Sequence, residues 1–466
     1  MPFSFPAGFA RRMERLLGEE WPRIAVAYEE PLRRGLRVNT LKCTPEQLKE
    51  QLPLSLTPAP FAPDAFFVEG EWKAGADPLH HAGAYYMQEP SALSAVTALA
   101  PRPGERVLDL CAAPGGKSTQ IAAALQGRGL LWCNEYVRER ARALMQNLER
   151  CGVRGAVISS CDVTLLCSGL AERFDAVLAD APCSGEGMFR KEPAALARWS
   201  EENIRLCAVR QTEILDAAAG AVRPGGRLLY STCTFAPEEN ELAVCRFLSF
   251  HPEFALCDLS GLPFGRPGFG WERIASFARE ETEPNAPLTY CRRLLPGDGG
   301  EGHFLALLRK AGDSPAQPFL TSEKEKSTNN KTIDELYNQC FFGSRYGVPE
   351  AGEKWVRLLP EKVTAAFLKG RGVLSAGVTA AEVRGDRLEP AHGLFMAARA
   401  EECRRCVSFQ REDPLLAAFL RGEEIPASGD NGYTAVLAGG VTVGYGKCSG
   451  GRLKNRYPKG LRLLSR

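Results

Sequence analysis

Between residues 106 and 232 short apolar runs alternate with helical patterns, and this alternation constrains the fold more than any other feature of the chain. It predicts strands at 107–110, 130–134, 156–160, 176–179 and 227–231, with helices at 117–125, 138–150 and 202–221 between them. VLDL at 107–110 reads as a buried strand, and AVLA at 176–179 is apolar throughout, as a strand covered on both faces is. Strands alternating with helices make an α/β doubly wound parallel sheet. Two later runs, 289–295 and 303–309, flank the turn-like PGDGGEG and predict a hairpin closing one sheet edge.

Within this pattern the stretch 174–234 carries the chemistry. FDAVLADAPCSGEGMFRK and GGRLLYSTCT are two apolar runs that each end in a polar turn holding a cysteine, Cys183 and Cys233. Ligands of open parallel sheets bind at the carboxyl ends of the strands. Both thiols, the Asp180 carboxylate and a proline-stiffened turn then face one rim, a set suited to covalent chemistry on an electron-poor ring.

A chain of 466 residues exceeds what one core usually serves, so about two to four domains are expected. We read 1–75 as an N-terminal unit, 76–310 as the core, 311–331 as a polar linker, 332–402 as a first C-terminal unit and 403–466 as a second. In the first, Phe9, Met13, Leu16 and Leu17 have helical spacing, Thr44 suits a helix N-cap, and Arg33, Arg34 and Arg37 read as a solvated face. The last has strand-like YTAVLA and VTVGYGK.

Charged residues at 24% and hydrophobic ones at 44% exclude collagenous and wholly disordered classes. The net charge of +2 matters less than its distribution: Lys447, Arg452, Lys454, Arg456, Lys459, Arg462 and Arg466 follow one another without an acid. That is an electrostatic footprint for nucleic acid, with Tyr445 and Tyr457 as possible stacking surfaces. Sixteen cysteines in a long chain whose start does not read as a signal peptide suggest a reducing, cytoplasmic setting with most thiols free and buried. No run approaches a membrane span, and the lone CRRC at 403–406 has no second pair to complete a metal site, so neither membrane nor metal is expected.

The loop CAAPGGK, comprising Cys111, Ala112, Ala113, Pro114, Gly115, Gly116 and Lys117, joins the first core strand to its helix. It is neither a P-loop, which would need glycine where Cys111 stands, nor a dinucleotide fingerprint. Its small residues let a ligand approach the backbone. Glu135, Asp162 and Asp180 close successive strands, an acidic series that would repel a polyphosphate but accept a cationic nucleoside. That points to S-adenosyl-L-methionine, a sulfonium; Gln88 is a further group able to position base or cofactor.

VLDLCAAPGGKSTQIA, NEY, SCDV, LADAPCSGEGMFRK, YSTCTFAPEENE and YYMQEPSA together resemble the Nol/Nop/Sun family of RNA cytosine-5 methyltransferases, over roughly residues 1–310. The ending GGRLKNRYPKGLR resembles bacterial members that modify small-subunit ribosomal RNA and carry a PUA-like domain. The resemblance implies a class I (Rossmann-like) methyltransferase core with an N-terminal RNA-binding domain and C-terminal α+β and PUA-like β-barrel units. It implies that Cys111–Lys117, Glu135, Asp162 and Asp180 hold the cofactor, that Cys233 is the nucleophile and that Cys183 serves product release. The residues alone leave open which thiol attacks. Asp180 is expected near ring nitrogen 3, protonated or sharing a proton.

Lys191, Arg452, Lys454, Arg456 and Lys459 are the expected RNA contacts, on single-stranded or loop RNA, for a monomer acting on ribosomal RNA or the small subunit. Transfer RNA is the alternative substrate, and a non-catalytic ribosome-assembly factor the alternative class. PGDGGEGHF lacks the basic residues expected of relatives there.

Overall fold

The computed structural model describes residues 3–70, 72–319, 330–361 and 363–463. Residues 320–329 of the expected linker, and Arg466, lie outside the described residues.

Strands are numbered in chain order. The N-terminal unit opens with helix Ala7–Leu17, which buries Phe9, Met13, Leu16 and Leu17 on one stripe. Helix Pro45–Gln51 starts at a capping box, Thr44 accepting from the Gln47 amide while the Gln47 side chain accepts from the Thr44 amide. Strands β1 (Arg34–Val38), β2 (Leu56–Pro58), β3 (Ala65–Val68) and β4 (Tyr85–Gln88) form an antiparallel sheet in the order β2-β3-β1-β4. The sheet of this unit therefore continues to Gln88.

The centre is a mixed ten-stranded sheet. β5 (Arg106–Asp109), β6 (Leu130–Asn134), β7 (Ala156–Ser159), β8 (Phe174–Asp180) and β9 (Val222–Thr232) run parallel in the order β9-β8-β5-β6-β7. The order reverses at β5, which leaves a crevice beyond the carboxyl ends of β5 and β8. β6 is buried at every position, which explains its unbroken apolar run. Helix Arg138–Arg150 turns Ala141, Leu144 and Leu148 inward, and helix Glu201–Ala221 starts where Ser200 Oγ accepts from the Asn203 amide at 3.0 Å.

Beyond β9 the sheet continues through β13 (His303–Lys310), which pairs antiparallel with β9 and also with β10 (Phe254–Leu256). β12 (Arg292–Leu294) and the two-residue β11 (Arg266–Pro267) complete that end. The expected hairpin is present as β12 and β13.

The other end of the sheet comes from a segment in which the sequence shows no motif. Of β14 (Val348–Ala351), β15 (Trp355–Leu359), β16 (Val373–Ala376), β17 (Val378–Arg384) and β18 (Arg387–Pro390), four make a separate antiparallel sheet. β16 instead pairs antiparallel with β7. Gly377 makes the crossing between the two sheets at φ 62°, where a Cβ would lie 1.8 Å from the Leu358 carbonyl oxygen. Glycine alone fits that turn.

The last unit is a five-stranded sheet of β19 (Cys406–Phe409), β20 (Ile425–Pro426), β21 (Gly432–Ala438), β22 (Val441–Ser449) and β23 (Arg452–Asn455). Its core is continuous with that of the N-terminal unit: Leu416, Phe419, Val443 and Leu453 share a buried cluster with Leu36, Val38, Leu48 and Tyr85. Arg411 Nε pairs with Asp77 Oδ2 at 2.8 Å, and the side chain of Asp77 is only 1% exposed.

Three expectations need correction here. Tyr445 is buried, stacked on Phe395 with ring centroids 4.4 Å apart, and the Tyr457 hydroxyl lies 3.1 Å from His81 Nδ1. Neither ring is a free stacking surface: Tyr445 packs into the cluster around Phe395 and Tyr457 into the one shared with the N-terminal unit. Arg37 does not belong to a solvated face: it is 1% exposed and donates to Thr119 Oγ1 at 2.7 Å. The basic tail is free of acids only along the chain, since Arg452 pairs with Glu424 and Arg456 with Glu389 in space.

Candidate active site

The rim is built by the loops that follow β5, β6, β7, β8 and β9. After β5, Ala112, Ala113 and Gly115 are buried, Cys111, Gly116 and Lys117 half-buried, and Pro114 exposed. Gly116 begins helix Gly116–Leu125, and a Cβ there would come within 3.1 Å of the Gln88 side chain. Gln88 Oε1 is buried without a hydrogen-bond partner among the described residues. Burial pushes the Cys111 thiol well up, so it stays protonated and inert. Asp109 at the end of β5 accepts from Ser118 Oγ at 2.7 Å, and burial raises its carboxyl to about 7.

After β6, Glu135 is buried, accepts from the Val137 amide at 2.9 Å and lies 3.3 Å from Arg140 Nη1. After β7, the exposed Asp162 caps helix Val163–Ser168, accepting from the Leu165 amide at 3.1 Å.

At the end of β8, Asp180 Oδ2 accepts from Lys117 Nζ at 2.8 Å, and Oδ1 accepts from Ser231 Oγ at 2.6 Å. Burial alone would push the Asp180 carboxyl up. The Lys117 ammonium and His303 more than offset this and hold it well below the usual carboxylate range. These contacts favour the ionised carboxylate before any base is seated. Lys117 in turn is held in its charged form: burial works against it and Asp180 raises it further.

Cys183 and Cys233 meet, Sγ to Sγ, at 3.2 Å, both partly exposed. Contact with Cys233, together with burial, pushes the Cys183 thiol well up.

Beneath the thiols lies a network that the sequence did not announce. Ser184, next to Cys183, and Thr234, next to Cys233, touch hydroxyl to hydroxyl at 2.7 Å. Glu239, fully buried, accepts from the Ser184 amide at 2.9 Å, from Gln211 Nε2 at 2.8 Å and from the Ser184 hydroxyl. Glu186 accepts from Thr234 Oγ1 at 2.9 Å, the Phe235 amide at 2.9 Å and Trp199 Nε1 at 2.8 Å. Burial lifts both carboxyls, Glu239 to about 8. The glutamates of EENE and SGEG were silent in the sequence because nothing local marks them as neighbours.

Of the expected RNA contacts, Lys191 lies just past the Cys183 loop, partly exposed and without an ion pair among the described residues. Its neighbour Arg190 is committed elsewhere, forking onto Glu301 at 2.7 Å and donating to the Ala27 and Glu30 carbonyls of the N-terminal unit. Arg452, Lys454, Arg456 and Lys459 belong to the C-terminal module rather than to this rim. Among the described residues no group of metal-ligating side chains occurs, and no helix is long and apolar enough to cross a membrane.

Against known proteins, the family description "16S rRNA methyltransferase RsmB/F" matches residues 96–309. An N-terminal domain of 16S rRNA methyltransferase RsmF matches 5–90, and the RsmF PUA domain matches 406–463. A ribosomal RNA small subunit methyltransferase F from Escherichia coli O17:K52:H18 is 41% identical over 98% of this chain and 96% of its own. This chain belongs to the RsmF family of ribosomal RNA methyltransferases. A Vibrio cholerae relative of the same name is 30% identical over 98% of each chain. Among solved structures, a methyltransferase homologue from Pyrococcus horikoshii is 31% identical, with a TM-score of 0.58 over 66% of this chain and 96% of that one. The family and the rim agree: the loops that the comparison covers are those that gather the acids and thiols.

Proposed function

We propose that this enzyme methylates carbon 5 of a cytosine in 16S ribosomal RNA, with S-adenosyl-L-methionine as donor and a transient bond from Cys233 to carbon 6. The observation that carries the reading is the contact of two thiols at 3.2 Å beside Asp180, at the carboxyl ends of β8 and β9. Addition needs one thiolate at carbon 6; the elimination that follows needs a base for the carbon 5 proton, and a second thiol beside the first can serve as one.

The residues present suit the donor. A buried carboxylate (Glu135) suits ribose hydroxyls, Asp162 lies on the next loop, and the unpartnered Gln88 Oε1 beside Gly116 is an acceptor left open toward the loop. A net acidic rim favours a sulfonium over a phosphate. When bound, the donor supplies an electrophilic methyl group.

The protein's own groups do the rest. In this reading Cys233 is the attacking sulfur and Cys183 keeps its proton, as its contact with Cys233 and its burial favour. Addition at carbon 6 makes carbon 5 enamine-like, splitting one hard step into two easier ones. Asp180 accepts from the exocyclic amine of the base, and Lys117 anchors the carboxylate. Once Cys233 is bonded to the ring, Cys183 gives its proton to solvent and, as the thiolate, takes the proton from carbon 5; the C–H electron pair forms the 5,6 double bond and the Cys233 sulfur leaves as thiolate. The target must leave its stack to enter, which favours single-stranded or loop RNA. Lys191, Lys454 and Lys459 meet phosphate, and the chain acts as a monomer in the cytoplasm.

Incubating the enzyme and labelled donor with purified small subunits, naked ribosomal RNA and transfer RNA, followed by nucleoside analysis, tests this. Label in 5-methylcytosine from ribosomal RNA or small subunits is expected. Label only in transfer RNA, or in none, overturns the substrate assignment.

A further inference from the structure

His303 has no role in the reading above, yet it is buried against the reacting centre. It opens β13 opposite Leu294, with the next residue, Phe304, paired to Thr232. Its side chain is 5% exposed, and its Nε2 lies 3.8 Å from Asp180 Oδ1 with no hydrogen-bond partner among the described residues. Its Nδ1 lies 2.9 Å from the Gly302 carbonyl oxygen. A carbonyl oxygen can only accept, so Nδ1 carries a hydrogen. In the neutral ring Nε2 would then present a lone pair to a carboxylate, two acceptors facing each other in a buried site. A proton on Nε2 converts that clash into attraction.

Asp180 needs such a partner. Ring nitrogen 3 of cytosine is itself an acceptor, so an ionised Asp180 cannot hydrogen-bond to it. Lys117 is a poor proton source, because the same carboxylate holds it in its charged form. Serine 231 donates to Oδ1 but does not acidify it.

We propose that His303 is a positioning residue that lends its proton to Asp180 when the target base is seated. The proton leaves Nε2, the N–H electron pair stays on the imidazole, and an O–H bond forms at Asp180 Oδ1. A closure of about 1 Å brings the pair to hydrogen-bond distance. The neutral acid then donates to ring nitrogen 3 as negative charge builds there after addition. On release the proton returns to Nε2, so nothing is consumed. Besides Asp180 and Lys117, the paired strands carry Arg223, Arg227 and Tyr230 (β9) and Arg292 and Arg293 (β12), β13 itself carries Arg309 and Lys310, and the adjoining loops carry Cys183, Cys233, Glu301 and Glu89. Glu301 is neutralised by Arg190, and Glu89 Oε1 accepts from the Glu301 amide at 3.0 Å.

This inference rests on the proposed cytosine chemistry, and the experiment separates the two. Single-turnover methyl transfer into ribosomal RNA is followed against pH for the full-length wild type, His303→Phe and His303→Gln, with donor binding measured by calorimetry. The wild type is expected to slow as pH rises, a basic limb that depends on His303. Both variants should bind donor within about two-fold of wild type, react at least about ten-fold more slowly near neutrality and lose that basic limb. The glutamine variant decides the matter if phenylalanine misfolds. A wild type without the limb, a folded variant that retains it, or rates within two-fold of wild type would overturn the role of His303. A wild type that makes no 5-methylcytosine would instead overturn the reaction on which the inference rests.

Discussion

The Cys183 sulfur sits 3.2 Å from the Cys233 sulfur, although fifty positions separate them in the chain. Neighbouring parallel strands β8 and β9 deliver them to one rim, and Ser184 and Thr234 tie the two turns together below. In the proposed reaction the two thiols work as a pair with unequal parts.

That inequality gives the first prediction. Cys233→Ala should abolish both turnover and any covalent complex with RNA. Cys183→Ala should form the adduct and fail to release it, running as a shifted band on a denaturing gel. A persistent adduct in the Cys233 variant would reverse the assignment.

The Glu239 carboxyl gives a second. Burial raises it from 4.5 to about 8. The folded protein binds a proton there that the unfolded chain gives up, so this contribution to stability is full below 4.5 and is lost as pH rises through about 8. Glu239→Gln, which cannot ionise, should flatten the decline in melting temperature between those limits. Glu239→Ala strands the Ser184 amide and Gln211, at about 1–3 kcal/mol for each group left unpaired. A thermal melt series across pH measures both.

The Arg411–Asp77 pair joins the C-terminal module to the N-terminal unit. Arg411→Ala leaves a buried carboxylate with only the Leu79 amide and Trp72 indole to serve it. A loss of about 2–3 kcal/mol is expected, tempered by partial exposure of the arginine. Faster proteolysis within 403–463, with donor binding unchanged, would mark the joint as the site of the damage.

RNA affinity is best probed by charge reversal. Deleting residues 403–466 would strip Leu416, Phe419 and Leu453 from the core they share with Leu36 and Val38. Lys454 and Lys459 are exposed and carry no ion pair among the described residues. Lys454→Glu and Lys459→Glu should each weaken RNA binding and lower its salt slope by about one, without altering donor affinity. Arg452→Glu should do less, because Glu424 already holds that guanidinium.

Much of this protein was legible before any coordinates. Helix Arg138–Arg150 and strand Leu130–Asn134 fall where the apolar spacing predicts them, because a buried stripe or a doubly covered strand leaves a local signature. Strand-end chemistry was legible for the same reason: an apolar run stops where a polar turn begins, so Asp180, Cys183 and Cys233 stood out at the ends of theirs. Tertiary structure alone decided which of these groups touch and what charge each one carries. The ionised state of Asp180 depends on Lys117, which lies sixty-three positions away, and the lifted carboxyl of Glu239 on burial beneath two loops. The place of β16 at the edge of the central sheet, and the burial of Tyr445 and Tyr457, likewise come from contacts between distant segments. Periodicity is written into neighbouring residues, whereas desolvation and pairing are set by whatever the folded chain brings alongside.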